Sequence, residues 1–102
     1  MIRLIEIEPD EWEVIPFPAK PGRIFVEVSS NLRIDFGVVD NKNLKAFEDD
    51  AEDFKTVFWS ENNTGLEFQI EVGSNPFYLI LWNANETRKG AVAYRFSEPV
   101  AN

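Results

Sequence analysis

The sequence predicts an all-β protein, an antiparallel two-sheet β-sandwich of about eight strands. In the last third of the chain, short runs rich in β-branched and aromatic residues are separated by clusters of Gly, Asn, Pro and Ser, as in a β meander. Residues 66–72 alternate apolar and polar side chains without a fault, which indicates a half-buried strand. Similar runs recur at even spacing, so we expect residues 1–102 to form one sandwich domain.

The positions of the strands are predicted from the alternation of apolar and polar residues and from the prolines. Pro16 lacks a ladder donor, so the second strand is expected at a sheet edge. The third and fourth strands are expected to form a hairpin around a turn at 29–31, and a second turn is expected at 62–65 because Asn and Gly tolerate positive φ. Residues 77–82 are apolar on both faces, which predicts a central strand covered on both sides. The predicted strands are 2–8, 11–17, 23–28, 32–38, 54–60, 66–72, 77–82 and 91–96.

One segment, residues 40–53, does not have a strand pattern. Leu44, Phe47 and Ala51 are spaced as on one face of a helix, and an Asp or Asn at the start could cap it. The alternative is a wide loop held in place by Leu44 and Phe47. The sequence leaves both interpretations open.

Composition excludes several classes of function. The chain has no Cys and no His, which removes disulfides, thiolate chemistry, Ser-His catalysis and the usual transition-metal ligands, so we predict no enzyme activity. The net charge of −8 disfavours nucleic acid and anionic membranes as partners. No apolar run is long enough to span a bilayer, and no signal peptide is evident, so a cytoplasmic protein is expected, with an excised extracellular domain as the alternative.

The pattern in both halves of the chain has a counterpart in a known fold. The first half reads GRIFVEVSSNLRIDFGVVDNKNLKAF, and the second reads LEFQIEV, a Gly, and then PFYLILWNANETRKGAVAYRF. With its hairpin at 26–43, its Y-x-L strand at 78–83 and its final strand at 89–96, the chain resembles the GOLD (Golgi dynamics) type of jelly-roll-like β-sandwich in a short prokaryotic form. That resemblance implies a protein-binding or lipid-associated module with no catalytic residues to carry over.

Two groups of side chains are candidates for a site. Phe25, Trp59 and Trp82 are aromatic residues that could bind a partner, a second copy of the chain or a carbohydrate, since exposed aromatic rings stack on apolar surfaces. The second group consists of carboxylates that could hold calcium, because Ca²⁺ prefers six to eight oxygen ligands. The calcium candidates are Asp40, Asp49, Asp50 and Asp53.

The function predicted from these observations is a non-catalytic binding or protein-interaction module that uses a sheet face or edge. Homodimerisation through the outer face near Trp59 and Trp82 is one form of it. The alternative is a calcium-dependent ligand- or carbohydrate-binding domain, with calcium as the one cofactor that the acidic segment suggests.

Overall fold

The architecture is a single antiparallel sheet of six strands with one short helix. The computed structural model describes residues 2–18, 22–49, 55–73 and 75–97. The sheet curls into a half-barrel, with strand order β1-β6-β3-β5-β2 and with β4 on the other side of β3. The elements are β1 (Arg3–Ile7), β2 (Trp12–Pro16), β3 (Gly22–Asp40), α1 (Asn41–Glu48), β4 (Phe58–Val72), β5 (Phe77–Trp82) and β6 (Gly90–Ser97).

The prediction of a two-sheet sandwich with eight strands is therefore wrong. The expected hairpin at 23–38 is one continuous strand of 19 residues, β3, and the expected strands on either side of 62–65 are one strand of 15 residues, β4. These two strands pair with each other along almost their whole length, so they cannot belong to two separate sheets. The predicted meander, in which consecutive strands pair, is also wrong, because β5 and β6 both pair with β3 and not with each other.

The polar residues that predicted turns produce a bend instead. The Ser30 hydroxyl accepts a hydrogen bond from the Leu32 N–H at 3.1 Å, and Asn62 adopts a left-handed conformation with φ 60°. The β3–β4 register shifts at this level, as in a β-bulge, and a bulge bends a strand without reversing it. Local turn chemistry is therefore present, but the chain continues in the same direction.

All the strands bend or break at one level of the sheet, which we call the crease. On one edge of β3, β6 pairs with its first part and β5 with its last part, so β5 and β6 lie end to end. In the same way β1 pairs with β6 and β2 pairs with β5. The crease consists of residues 8–11, 30–33, 61–64 and 83–89.

The crease divides the sheet into two halves. The open half contains β1, β6, the Gly22–Ser29 part of β3 and the Gly65–Val72 part of β4. The covered half contains β2, β5, the remaining parts of β3 and β4, and the helix α1 on its outer face.

The main core lies on the concave face, between the two halves. Phe58 of the covered half stacks on Phe68 of the open half with ring centroids 4.4 Å apart. Near the opposite side of the sheet, Phe17 contacts Phe77 of the covered half and Phe96 of the open half. These rings close the space between the halves. The fully buried side chains of this core include Ile7, Ile24, Val26, Ile34, Phe36, Val38, Leu79, Leu81 and Val92.

A second, smaller core lies on the outer face of the covered half. Leu44 of α1 packs there against Val39 and Ile80. Of the two alternatives for residues 40–53, the structure thus has a helix, at Asn41–Glu48. Asp40 is its N-cap and accepts a hydrogen bond from the Asn43 N–H at 2.8 Å. This bond, with a second from the Asn43 side chain, lowers the pKa of Asp40.

Candidate functional site

The free edges of the sheet differ in how well they could accept another strand. On one side, β1 has five residues, and β2 has five residues and contains Pro16. A proline has no N–H for a ladder, so it protects an edge from further pairing. On the other side, β4 is 15 residues long, contains no proline and pairs only with β3 among the described residues. The edge of β4 is therefore the best template for an added strand.

The part of this edge that lies in the open half is regular. Pairing with β3 runs without a register shift from Gly22 opposite Val72 to Ser29 opposite Gly65. In an antiparallel ladder every second residue directs its N–H and C=O away from the partner strand. Along the free side of β4 these groups form an evenly spaced row of donors and acceptors. Leu66 and Phe68, whose side chains face the concave core, are only half-buried there.

The edge is distorted at the crease, beyond which β4 has three more residues, 58–60. The β3–β4 register shifts on both sides of the pair Ile34 and Asn63. Asn62 is held by two contacts: its N–H donates to Asp35 Oδ1 at 2.9 Å, and its carbonyl accepts from Arg33 Nη1 at 3.1 Å. Because the peptide groups here are not evenly spaced, a straight strand cannot pair through this segment. The candidate site is thus the regular edge Gly65–Val72, which we call the docking edge.

A shallow groove of about 540 Å³ lies on the outer face of the open half, beside the docking edge. Its floor includes Ser29, Gly65 and Ala93, which are neighbours across three strands and have small side chains. Glu27, Glu67 and Arg95 also line it. The groove opens toward the docking edge at Gly65, where no side chain closes it.

The charged side chains beside this groove do not all face an opposite charge. Arg95 Nη2 and Glu27 Oε1 form an ion pair at 3.0 Å between directly opposed residues of β6 and β3. Glu67 of β4 lies directly opposite Glu27 on its other side, so two carboxylates face each other. Like charges in such a cross-strand pair are destabilising. Within the described part of the chain, the Glu67 carboxylate makes no ion pair and accepts no side-chain hydrogen bond.

The predicted aromatic residues do not form one surface. Trp59 and Trp82 are both half-buried on the outer face of the covered half; Trp59 lies over Gly37, and its Nε1 donates to Glu61 Oε1 at 3.1 Å. Trp82 is opposite Asp35 and Trp12, and its Nε1 is buried without a hydrogen-bond partner. Phe25 is half-buried in the open half, between Gln69 and Ser97. A partner or carbohydrate role for the three aromatic residues stays a prediction.

The carboxylates proposed for calcium are only partly described. Asp40 and Asp49 lie at opposite ends of α1, and at about 1.5 Å per residue an eight-residue helix keeps them on the order of 12 Å apart. Asp50 and Asp53 lie outside the described residues. Among residues 2–18, 22–49, 55–73 and 75–97 there is no group of three carboxylates able to hold a metal ion. The calcium site therefore stays a prediction.

A second, more polar cleft of about 550 Å³ lies at the crease. It is lined by Asn31, Arg33, Asp35, Asn62, Thr64, Asn85 and Arg88, together with Leu32 and Ala84. Several of these side chains are used within the protein. Asn85 Oδ1, for example, accepts from the Thr87 and Arg88 N–H groups, at 3.0 and 2.9 Å. The polar side chains of this cleft thus stabilise the bend. They leave fewer hydrogen-bond donors and acceptors for a ligand than the docking edge does.

Sequence reasoning missed two residues of this region. Asn83 is completely buried: its Nδ2 donates to the carbonyls of Ile7 and Arg88, and its Oδ1 accepts from the Asn85 N–H. It thereby joins β1 to the segment between β5 and β6. The other is Glu67, which has the pattern of an ordinary solvent-facing residue. Glu67 differs from other surface residues because it lies opposite Glu27, and the sequence of one strand does not show which residue it faces.

Comparisons with known proteins give no family. No protein-family model matches the chain, and no curated protein matches it. The resemblance to the GOLD type of domain therefore stays a prediction. No helix in the described part of the chain has the length and apolar character needed to cross a bilayer.

Proposed function

We propose that this protein is a non-catalytic interaction module that binds an extended segment of another protein as an additional strand on the docking edge. One observation carries the proposal: the Gly65–Val72 part of β4 is regularly paired with β3 on one side and, within the described residues, has no strand on the other. Strand addition to an exposed sheet edge is a common mode of peptide recognition, in which main-chain hydrogen bonds hold the ligand and side chains select it.

The expected energies show why side chains must contribute. An added strand along this edge forms roughly seven backbone hydrogen bonds, each worth about 1 kcal/mol net. Ordering the ligand backbone costs about 1–2 kcal/mol per residue. The ordering cost is at least as large as the gain from these hydrogen bonds, so the binding free energy depends on what the ligand side chains cover. Leu66 and Phe68 are the half-buried apolar side chains that an added strand would bury on the concave face.

The proposal can be tested first on the protein alone. We expect amide hydrogen exchange, measured by NMR, to be fast at every second residue of 66–72 and slow at residues 25–29 and 36–38 of β3, which pair with a strand on each side. A nine-residue peptide library displayed on phage then supplies ligands. Selected peptides should slow exchange at the fast residues of 66–72 and leave exchange along β2 unchanged.

N-methylation distinguishes strand addition from binding by side chains alone. Each selected peptide is synthesised in two forms, methylated at the amides of odd or of even residues. Strand addition uses only one of these sets, so one form should lose binding and the other should retain it. The proposal fails if both forms bind equally, if selected peptides perturb other surfaces instead, or if the library yields no ligand.

A further inference from the structure

The charge pattern across the open half indicates the chemistry of the partner strand. Along one row of the sheet, the residues are Arg95, Glu27 and Glu67, in the order positive, negative, negative. The next outer-face positions of β4 differ, because Gln69 lies opposite Phe25 and Glu71 lies opposite Arg23. Glu67 is thus the carboxylate of the docking edge that faces a like charge on β3. A like-charge pair of this kind, in a strand whose other residues suit their positions, indicates a functional position.

From this row we infer that the partner strand places a basic residue opposite Glu67 and apolar residues at the alternate, core-facing positions. A Lys or Arg there would continue the row as positive, negative, negative, positive, and would pair with a carboxylate that has no ion pair among the described residues. The inference rests on the proposed strand addition and adds the identity of the side chain that recognises the outer face.

The groove beside Glu67 provides room for such a side chain. Gly65 has no side chain and leaves the edge open toward Ser29, so the aliphatic part of a Lys or Arg can lie across Gly65. With neighbouring strands about 4.8 Å apart, such a stem covers Gly65 and points toward Ser29, and its charged end reaches Glu67 or Glu27, both of which line the groove. Long basic side chains commonly cover apolar surface with their stems while the charge stays in water.

The same charges disfavour a second copy of the chain as the occupant. Antiparallel pairing of two docking edges must place core-facing residues on the same face. In each register that overlaps them fully, Glu67 and Glu71 of one copy lie opposite or diagonal to the same residues of the other. Since like charges in these positions are destabilising, we expect a partner of opposite charge rather than a homodimer at this edge.

The test uses three synthetic nine-residue peptides with Val at alternate positions and with Lys, Gln or Glu at all others. Their affinities for the full chain are measured by titration calorimetry at low salt. We expect the Lys peptide to bind about three- to tenfold more tightly than the Gln peptide, and the Glu peptide more weakly than both. In Glu67→Gln the advantage of Lys over Gln should fall by about threefold. A matched control, Glu13→Gln, removes an exposed carboxylate of β2 and should preserve the advantage.

Each outcome separates the inference from the proposed function. If all three peptides bind equally, strand addition stands and the basic partner is excluded. If the advantage of Lys falls equally in Glu67→Gln and Glu13→Gln, only the net charge of −8 matters, and the inference about Glu67 is overturned. If no peptide binds and residues 66–72 are protected from exchange in a concentration-dependent way, a second copy occupies the edge and the inference is excluded. If none binds and no such protection appears, the proposed function itself fails.

Discussion

The two halves of the sheet have the same pair of long strands but differ in what their surfaces contact. In the covered half, α1 packs on the outer face through Leu44, and the β3–β4 pairing beyond the crease is short. In the open half, the register is regular and the docking edge is unpaired among the described residues. The covered half therefore satisfies its own apolar surface, whereas the open half retains backbone groups that another chain can use.

Regular backbone pairing, more than exposed aromatic side chains, thus distinguishes the proposed binding surface from the structural one. Trp59 and Trp82, the most conspicuous residues in the sequence, lie on the covered half and are half-buried. The docking edge contains ordinary alternating residues. Natural proteins usually protect long regular edges with prolines, bulges or charges, and here only the charges are present in Gly65–Val72.

The largest expected effect concerns the residue that joins the halves. Asn83→Ala should lower the free energy of unfolding by about 3 kcal/mol, since it removes three hydrogen bonds and leaves buried carbonyls unpaired. Urea denaturation measures the change. Asn41→Ala is the matched control: the Asn41 side chain accepts only from the Tyr78 hydroxyl, at 3.3 Å, and its loss should change stability by less than about 0.5 kcal/mol. A loss below 1 kcal/mol for Asn83→Ala would show that its hydrogen bonds contribute little to holding the two halves together.

Replacing one glycine in each half by alanine compares how tightly the two halves are packed. A methyl group at Gly37 would overlap the Trp59 ring, whereas one at Gly65 would lie 3.6 Å from the Val28 carbonyl oxygen, an ordinary contact. Gly37→Ala should therefore lower the free energy of unfolding by about 2 kcal/mol, and Gly65→Ala should change it by less than about 0.5 kcal/mol. Urea denaturation followed by Trp fluorescence measures both. Equal losses in the two variants would remove the distinction between a tightly covered half and an open one.

The helix that covers one half gives a pH-dependent prediction. Asp40→Ala should lower the free energy of unfolding by about 1 kcal/mol at pH 7, because the N-cap is lost. The folded pKa of Asp40 lies below its ordinary value of 3.8, so its contribution is complete above that pH and disappears as the pH falls through the folded pKa. Denaturation of both proteins between pH 7 and pH 2 should show the difference vanishing in acid. Asp40→Asn keeps an acceptor and controls for the charge; an identical pH dependence in that variant would exclude titration of Asp40 as the cause.

The smallest effect has the opposite sign. Glu67→Gln should raise the free energy of unfolding by about 0.3 kcal/mol, because it removes a like-charge pair with Glu27. Thermal unfolding at low and high salt measures it, and the gain should diminish as salt screens the repulsion. The control is Glu71→Gln, which faces Arg23 and should give no gain. A loss of stability in Glu67→Gln would mean that this carboxylate already has a favourable role within the protein.

Residue alternation predicted which side chains are buried but not how the strands pair. Val26, Phe36 and Ile70 are buried as expected, and β2 lies at an edge, as its proline indicated. An alternating pattern is the same for a strand that continues and for two strands joined by a turn. Asn31 shows the ambiguity: its side chain accepts a hydrogen bond from the Ala91 N–H, so it serves a distant strand instead of a turn.

The docking edge could not be predicted for the same physical reason. An edge is defined by what a strand does not pair with, and pairing in this sheet depends on contacts distant in sequence. Glu67 follows the outward pattern expected of a surface residue, and only the register places it opposite Glu27. The short helix could be predicted as one of two alternatives, because Asp40 and the spacing of Leu44 and Phe47 are local signals in the sequence.

The end-to-end arrangement of the strands also constrains the order in which the protein folds. Among the described residues, β1 pairs only with β6, so that Arg3 lies opposite Tyr94, and β2 pairs only with β5. During synthesis the first two strands therefore have no partner until the last two have left the ribosome. The β3–β4 ribbon is the one pairing between consecutive strands, and it is the natural first structure to form. Because the remaining pairings close long loops, we expect folding in the range of milliseconds to seconds, with the N-terminal strands added last.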